Sequence, residues 1–448
     1  MKRTLCFRDV ATSRQEVGFR VCATCPMLAE TGLPARLHLH AAMPIMNLQS
    51  YLLPAPQQPP WHFLTQQQSL SALEIRDYML GPGRMNADPD VTLTELSHRI
   101  IKAGVPLDRC VTIVRILHAI NAASYRMWES GVGTTSYTIA FTSESDGMYE
   151  TSPSALAHKN NLWVRFNPQT TAKDAFGIVP ELCESGTTDY VTAPTLMVNG
   201  LQNVFTFATK AADGFSETDI AFLRAIFPAL EACQEILVTH RILKEVTRTY
   251  VGEEPHMRIL AGDVHRGEVT SCHAAILFTD MRDFTGLTAQ MSAQQATNLL
   301  NDYYDCLVPA IEDNGGEVLK FMGDGVLAMF RADDREGGAR TSALSAAELG
   351  LAAVADRNTK SNQPFDIGTA LHFGEVAYGN VGSGERLDYT VIGRDVNLAS
   401  RVAGLCGPLN QQLLMSEDFV AGLPDRAFEA CGSHHLKGLS DPVAIYCV

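Results

Sequence analysis

The chain has 448 residues, of which 46% are hydrophobic and 19% are charged, a balance typical of globular proteins. This length is enough for two or three domains. The formal net charge of −15 argues against nonspecific binding to nucleic acid or to an anionic membrane, so neither is an expected partner. An acidic protein that binds an anionic substrate must use metal ions or gather its lysines and arginines locally.

Residues 1–60 are predicted to be a poorly ordered leader, because prolines and glutamines accumulate near its end without a regular period. No apolar stretch follows the basic residues at the start, so a secretory signal is not expected. Met43 is a plausible alternative start, which would make residues 1–42 dispensable. Cys22 and Cys25, with His38 and His40, offer four zinc ligands, but the spacing fits no zinc pattern closely.

The eleven cysteines are scattered and odd in number, which favours reduced thiols and a cytoplasmic location. No run of about eighteen uncharged apolar residues occurs, so no transmembrane helix is expected.

A regulatory region is predicted over residues 70–240. Leu93, Leu96 and Ile100 have helical spacing, and a second helical pattern is predicted from Ile113 through Leu117 to Ile120. Short strand-like runs follow, and Ser216 with Asp219 predicts a capping box that opens a long helix with Pro228 inside it. The order of elements resembles a GAF-type sensor domain, which implies an unknown small-molecule or protein regulator. The alternative is a scaffold that only supports dimerisation.

Residues 241–265 are polar and helical in pattern and end near Gly262. They are predicted to form a helical connector, whose two ends move together.

The C-terminal region, residues 266–448, has an α+β pattern. A strand ends at Asp280, a helix begins at Ser292, and two strand-like runs flank the Asp324–Gly325 turn. A further helix and a further strand complete the order of a ferredoxin-like fold. If the first strand and the hairpin are neighbours, Asp280 and Asp324 lie at one edge of the sheet. Two carboxylates there suit Mg²⁺, although each aspartate taken alone fits an ordinary surface acid better than a metal ligand.

Three sequence blocks in this region resemble the signature blocks of class III nucleotidyl cyclases, in the same order and at similar spacing. They are FTDMRDFT (278–285), EVLKFMGDG (317–325) and DYTVIGRDVNLASR (388–401), and the likeness extends to HLKGLSDPVAIY (435–446). The resemblance implies an adenylate cyclase that converts ATP to cyclic AMP and pyrophosphate, with two Mg²⁺ or Mn²⁺ ions in each active site.

The resemblance also implies a role for individual residues. Asp280 and Asp324, with the backbone carbonyl of Met281, would hold the metals. Lys320 and Thr390 would read the purine, Asn397 and Arg401 would stabilise the transition state, and Lys437 would reach the terminal phosphates. The metal ligands would come from one protomer of a homodimer and the other groups from its partner.

Thr390 stands where many family members have aspartate, and this variant is typical of the class IIIb subgroup, some members of which respond to bicarbonate. Lys320 is only a donor and suits the acceptor N1 of adenine, whereas guanine presents a donor there. The alternatives are a guanylate cyclase, which Lys320 disfavours, and an inactive nucleotide-binding scaffold, which the intact Asp280, Asp324, Asn397 and Arg401 disfavour.

Overall fold

Two sheets organise the protein, one in each half of the chain: the N-terminal sheet is antiparallel, and the C-terminal sheet is mixed because β11 and β13 are parallel. The structure is a computed structural model and describes residues 48–86, 88–117, 121–332 and 338–448. The predictions for Cys22, Cys25, His38, His40 and Met43 therefore lie outside the described residues. Among the residues that are described, none of the helices combines the length and the apolarity that a membrane span requires.

The N-terminal sheet has seven strands within the described ranges, in the order β1-β5-β6-β7-β2-β3-β4, and its neighbouring strands are antiparallel. The strands are β1 (Leu52–Leu53), β2 (Arg109–Arg115), β3 (Asn121–Glu129), β4 (Gly133–Ala140), β5 (Trp163–Phe166), β6 (Asp189–Leu196) and β7 (Gln202–Thr209). The helices are α1 (Gln66–Tyr78), α2 (Pro89–Lys102), α3 (Ser143–Glu150), α4 (Pro153–Asn160), α5 (Val179–Glu184) and α6 (Glu217–Val251).

Helix α6 begins where the capping box was predicted. Ser216 Oγ accepts from the Asp219 backbone N–H at 3.1 Å, and Asp219 Oδ2 accepts from the Ser216 N–H at 2.8 Å. The helix continues past Pro228 to Val251, so the boundary predicted at residue 240 lies inside it. Its apolar face packs with α1 and α2 in one buried cluster against the sheet.

Two predictions for this half differ from the structure. Ile113 lies in β2 and not in a helix, because the run Cys110 to Val114 is rich in β-branched residues that favour a strand. Residues 48–60, predicted as the end of a leader, belong to the fold: β1 pairs with β5, and the Tyr51 ring lies 5.4 Å from the Phe176 ring.

A short helix, α7 (Glu253–Ala261), follows α6 and ends at Gly262, whose φ of 103° only glycine adopts readily. The Glu254 N–H donates to Glu317 Oε1 at 3.0 Å, and Glu254 also forms an ion pair with Arg331. Both partners belong to the C-terminal sheet. The helical connector therefore contacts that sheet directly.

The C-terminal sheet has eight strands among the described residues, in the order β14-β15-β13-β11-β8-β10-β9, with β12 paired to β11. The strands are β8 (Val269–Met281), β9 (Glu317–Met322), β10 (Gly325–Arg331), β11 (Ile367–Gly382), β12 (Leu387–Ile392), β13 (Leu413–Ser416), β14 (Glu429–His434) and β15 (Val443–Cys447). The helices are α8 (Phe284–Thr288), α9 (Ala293–Glu312), α10 (Gly338–Lys360), α11 (Arg394–Ala403) and α12 (Glu417–Val420).

The succession β8-α9-β9-β10-α10-β11, with sheet order β11-β8-β10-β9, is the predicted ferredoxin-like arrangement. Helices α9 and α10 pack on one face through residues such as Tyr303 and Leu344, and α11 packs on the other through Leu398 and Val402. The strands β8 and β11 are long, with 13 and 16 residues. Strand β12 and helix α11 follow β11 in the chain, so the length of β11 determines where the predicted site residues on these two elements lie.

Candidate active site

The two predicted metal-binding aspartates meet at one edge of the C-terminal sheet. Asp280 is next to last in β8, and Asp324 lies in the turn between β9 and β10. Strands β8 and β10 are antiparallel neighbours, with Asp280 opposite Gly325, and the Met281 N–H donates to the Asp324 carbonyl at 3.3 Å. The local pairing therefore brings the two side chains together as the sequence predicted.

The turn that carries Asp324 is fixed by two further features. Gly323 has a φ of 68°, which favours glycine over residues with a Cβ. The Tyr304 hydroxyl, from α9, donates to the Gly323 carbonyl, and the Tyr304 ring lies 4.4 Å from the Phe321 ring. Tyr304 was not among the predicted site residues. The available signal was its position as a second aromatic residue beside Tyr303 on the predicted helix α9.

The electrostatics of the pair favour a bound cation. Partial burial, and then the negative charge of Asp324, raise the pKa of Asp280 to about 6. Among the ion pairs of the described residues, none joins Asp280 or Asp324 to a lysine, arginine or histidine. Two adjacent carboxylates without a cationic partner fit Mg²⁺ or Mn²⁺, which takes its remaining ligands from water and substrate phosphates.

A second group of predicted site residues lies on β9, β12 and α11. Lys320, on β9, forms an ion pair with Asp388 on β12. Thr390 lies two residues further along β12, so it shares a strand face with Asp388. Asp388 was not among the predicted site residues. Asp388 could have been inferred from its spacing of two residues from Thr390, because side chains at that spacing lie on the same face of a strand.

Helix α11 presents Asn397 and Arg401 one turn apart, on the face next to its buried residues Leu398 and Val402. Asn397 is exposed, whereas Arg401 is half-buried. A Cβ added at Gly438 would lie 3.5 Å from Arg401 Nη2, so the segment that carries the exposed Lys437 passes beside the Arg401 guanidinium. These three residues form one polar surface on the α11 side of the sheet.

Within one chain, the two aspartates and Thr390 pair with different parts of β11. Asp280 pairs with Gly368, whereas Thr390 pairs with Gly379, eleven residues further along the strand. The ion pair between Lys320 and Asp388 shows that β12 folds back to β9, where Lys320 lies four residues before Asp324. Among the described residues, no hydrogen bond connects either aspartate side chain to Lys320, Thr390, Asn397 or Arg401. One chain thus holds the two aspartates and Thr390 without a direct hydrogen bond between them.

Comparison with known proteins identifies the C-terminal region. Residues 268–448 match the family model of the adenylate and guanylate cyclase catalytic domain, and this part of the chain is a catalytic domain of that family. It is similar to an adenylate cyclase of Anabaena cylindrica, 34% identical over 169 residues, which cover 36% of this chain and 33% of that protein. It is also similar to the terminal-differentiation specific adenylate cyclase of Dictyostelium discoideum, 28% identical over 41% of this chain and 9% of that protein.

Among solved structures, the chain is similar to the adenylyl cyclase CyaB from P. aeruginosa, with 28% identity, a TM-score of 0.37, and coverage of 40% of this chain and 94% of that one. The guanylyl cyclase Cya2 gives 28% identity, a TM-score of 0.36, and coverage of 40% and 92%. The chain spans about a third or less of the curated relatives described above.

Proposed function

We propose that the protein is an adenylate cyclase that converts ATP to cyclic AMP and pyrophosphate with two divalent metal ions at sites shared across a homodimer. The observation that carries the proposal is the pair of adjacent carboxylates, Asp280 and Asp324, at the sheet edge of a cyclase-family catalytic domain. Neither has a cationic partner among the described residues, and an external cation would stabilise the ionised form of both.

In this reaction the ribose 3′-oxygen forms a bond to the α-phosphorus, the bond to the bridging oxygen breaks, and pyrophosphate leaves with the electron pair. The 3′-hydroxyl proton passes to solvent. Asp280, Asp324 and the Met281 carbonyl would hold Mg²⁺ or Mn²⁺, which lowers the pKa of the attacking hydroxyl and neutralises phosphate charge. Positioning and charge stabilisation dominate this class of reaction.

The remaining groups bind and orient the nucleotide. Arg401 offers a planar fork of donors to the charge that develops on the α-phosphoryl oxygens, and Asn397 holds the ribose. Lys437, beside Arg401, reaches the terminal phosphates. Because Arg401 and Asn397 lie on an accessible face of α11, they can serve a site completed by a second copy.

Selection of ATP rests on Lys320 and Thr390. The Lys320 ammonium donates to adenine N1, and the Thr390 hydroxyl accepts from the exocyclic amine. Asp388 holds Lys320 in the absence of nucleotide. It keeps the ammonium beside Thr390, where the base would bind.

The resemblance of the sequence blocks to class III cyclases supports the shared site, because that family draws its metal ligands from one protomer and its nucleotide-binding groups from the other. This chain carries both sets, with Asp280 and Asp324 in the first and Lys320, Thr390, Asn397 and Arg401 in the second. A symmetric homodimer supplies both groups twice and so forms two complete sites.

We assign a regulatory role to residues 70–240, which we interpret as a GAF-like domain, and a coupling role to the helical connector. Helix α6 runs from the N-terminal sheet to α7, and α7 contacts Glu317 on the strand that carries Lys320. A displacement of α6 therefore has a physical route to the purine-reading strand.

The test is to incubate the purified chain with ATP or GTP, in the presence of Mg²⁺ or Mn²⁺, and to identify the product by mass spectrometry. The expected products are cyclic AMP and pyrophosphate, formed only when metal is present. The Asp305→Asn variant changes an exposed carboxylate on α9 and should keep activity, which makes it the control for Asp280→Asn. Exclusive formation of cyclic GMP, or product formation by Asp280→Asn at the wild-type rate, would contradict the proposal.

A further inference from the structure

A small cavity lies beside α6 in the N-terminal half of the chain. Its volume is about 60 Å³, and α2, α6 and the strands β2, β3 and β7 form its walls. Most of the lining is apolar, from Met79, Leu93, Leu96, Val114, Phe205 and Leu237. A cavity of roughly 15 Å³ holds one water molecule, and a cavity of about 150 Å³ holds benzene. The cavity beside α6 lies between these two and suits a molecule of a few heavy atoms.

The cavity contains a buried polar group that lacks a partner. Gln234 is only 7% exposed, and its Oε1 accepts from the Thr195 hydroxyl at 2.8 Å. The Gln234 Nε2 has no hydrogen-bond partner among the described residues. An unpaired buried donor is unfavourable and is uncommon in folded proteins, so an acceptor in the cavity would relieve it.

The cavity also carries more positive than negative charge. Arg126 forms an ion pair with Asp90 at 2.9 Å, and its side chain is 12% exposed. Arg241 contributes a second guanidinium, which donates to Ser124 Oγ at 3.4 Å and has no ion pair with an acidic residue among those described. Burial and the nearby charge of Arg241 lower the pKa of Arg126. Among the described residues, only one of these two guanidinium groups thus has a carboxylate partner.

We propose that this cavity is a binding site for a small monocarboxylate. The carboxylate oxygens would accept from the Gln234 amide and from the Arg241 guanidinium, which balances the excess charge. A short alkyl chain would lie against Leu93, Leu96 and Phe205. Inorganic phosphate fits less well, because its additional oxygens would face apolar walls without donors.

The site lies on the helix that continues toward the catalytic domain. Gln234, Leu237, Val238 and Arg241 follow the spacing of one helix face on α6, and all four line the cavity. A bound carboxylate would therefore contact α6 directly. The proposal concerns binding and does not depend on the cyclase activity.

The test is a titration of the full-length chain with propionate, followed by ligand-detected NMR at constant ionic strength. Propionamide has the same shape without the charge, and inorganic phosphate has charge without the alkyl chain. We expect saturable binding of propionate. Propionamide should bind at least roughly tenfold more weakly because it loses a charged hydrogen bond, and phosphate should bind at least roughly tenfold more weakly because it loses the apolar contact.

Arg241→Met and Gln234→Glu should each weaken propionate binding roughly tenfold or more, the first by removing a donor and the second by placing a carboxylate in the site. Arg248→Met is the matched control, since Arg248 is on the same helix but is 61% exposed and outside the cavity. Circular dichroism verifies folding. If Arg241→Met does not fold, Gln234→Glu still tests the site, because it preserves the shape of the side chain. Absence of propionate binding, tighter phosphate binding, or equal affinity in Gln234→Glu and Arg248→Met would overturn the proposal.

Discussion

The two sheets differ in how they treat buried charge. In the N-terminal sheet, Asp189 is 5% exposed and pairs with Arg165 at 2.8 Å, while the Phe215 N–H donates to the same carboxylate at 3.0 Å. Arg109, 7% exposed, likewise pairs with Glu181 and donates to the Tyr125 hydroxyl at 2.9 Å. These charges are compensated within the chain. The cavity beside α6 differs, because Arg241 has no ion pair among the described residues.

In the C-terminal sheet, Asp280 and Asp324 are placed side by side, and partial burial and their repulsion raise the pKa of Asp280. Adjacent carboxylates with a raised pKa are typical of functional sites. Paired buried charge thus indicates a structural role in the N-terminal sheet, whereas the adjacent like charges of Asp280 and Asp324 fit the proposed binding of an external ion.

The largest expected effect is on catalysis. Asp280→Asn or Asp324→Asn should lower the rate of cyclic AMP formation roughly a thousandfold, because each removes a metal ligand from the pair. The measurement is the initial rate with saturating Mg²⁺ and ATP, with Asp305→Asn as the control. A rate within tenfold of wild type in either variant would refute the metal assignment.

The next effect is on the choice of base. Lys320→Glu should reduce the preference for ATP over GTP roughly ten- to a hundredfold, because an acceptor replaces a charged donor. The ratio of kcat/KM for the two nucleotides measures it. An unchanged ratio would show that other residues read the base.

Asp388→Asn should affect nucleotide binding less than Lys320→Glu does. It removes the partner of Lys320 without changing the donor, and an exposed ion pair contributes at most about 1 kcal/mol. We therefore expect KM for ATP to change by no more than about fivefold. Glu385→Gln, an exposed acid before β12, is the control.

The same substitution should have opposite effects on stability in the two sheets. Asp189→Asn leaves Arg165 without its buried partner and should lower the free energy of unfolding by roughly 3 kcal/mol. Asp280→Asn relieves repulsion and should raise it by roughly 1 kcal/mol at pH 7.5, a value reduced by solvent screening of the exposed carboxylate. Denaturation in the presence of a chelator measures both.

The stability gain expected for Asp280→Asn depends on pH, and the raised pKa of Asp280 sets the direction of that dependence. The pKa of Asp280 is about 6 in the folded chain, above its ordinary value of 3.8, so folding favours the protonated form. The gain from Asp280→Asn should be absent below about pH 4, develop as the pH rises, and be complete above about pH 6. An equal gain at pH 4 and pH 7.5 would contradict the electrostatic explanation.

The smallest expected effect concerns the N-terminus. Removal of residues 1–42 should leave folding and cyclic AMP formation unchanged within about twofold, since the alternative start at Met43 retains residues 48–448. Metal analysis of the full chain tests the alternative interpretation of Cys22 and Cys25. Stoichiometric zinc, or loss of folding on truncation, would show that the leader has a structural role.

Much of the catalytic half could be predicted because local signals agreed with the final fold. The helix start at Ser292 and the Asp324–Gly325 turn are predicted from a few adjacent residues, and the structure has both. The pairing of Lys320 with Asp388 could not be predicted, because it depends on β12 approaching β9 across a long stretch of chain. The length of β8 and β11 also depends on their mutual pairing, which local patterns do not contain.

The N-terminal half was harder to predict because its signals are ambiguous. Ile113, Leu117 and Ile120 have helical spacing, but the β-branched run around Ile113 is extended by pairing with β3 and β7. The short strand β1 gains its stability from contact with β5 and from Tyr51 against Phe176, neither of which is local. Tertiary contacts therefore determine the conformation of these segments.

The most direct test of the central claim is complementation between two inactive chains. Asp280→Ala retains Lys320, Thr390, Asn397 and Arg401, whereas Arg401→Ala retains both aspartates. Each variant alone should be nearly inactive, because both sites of its dimer carry the same lesion.

In a mixed dimer, both lesions fall in one site and the other site is wild type. Equal co-expression gives about half mixed dimers, so cyclic AMP formation should recover to roughly a quarter of the wild-type rate if the sites act independently. Differential tags verify that mixed dimers form. Recovery to that level supports a site shared between protomers, and no recovery in verified mixed dimers would show that each chain builds its own site.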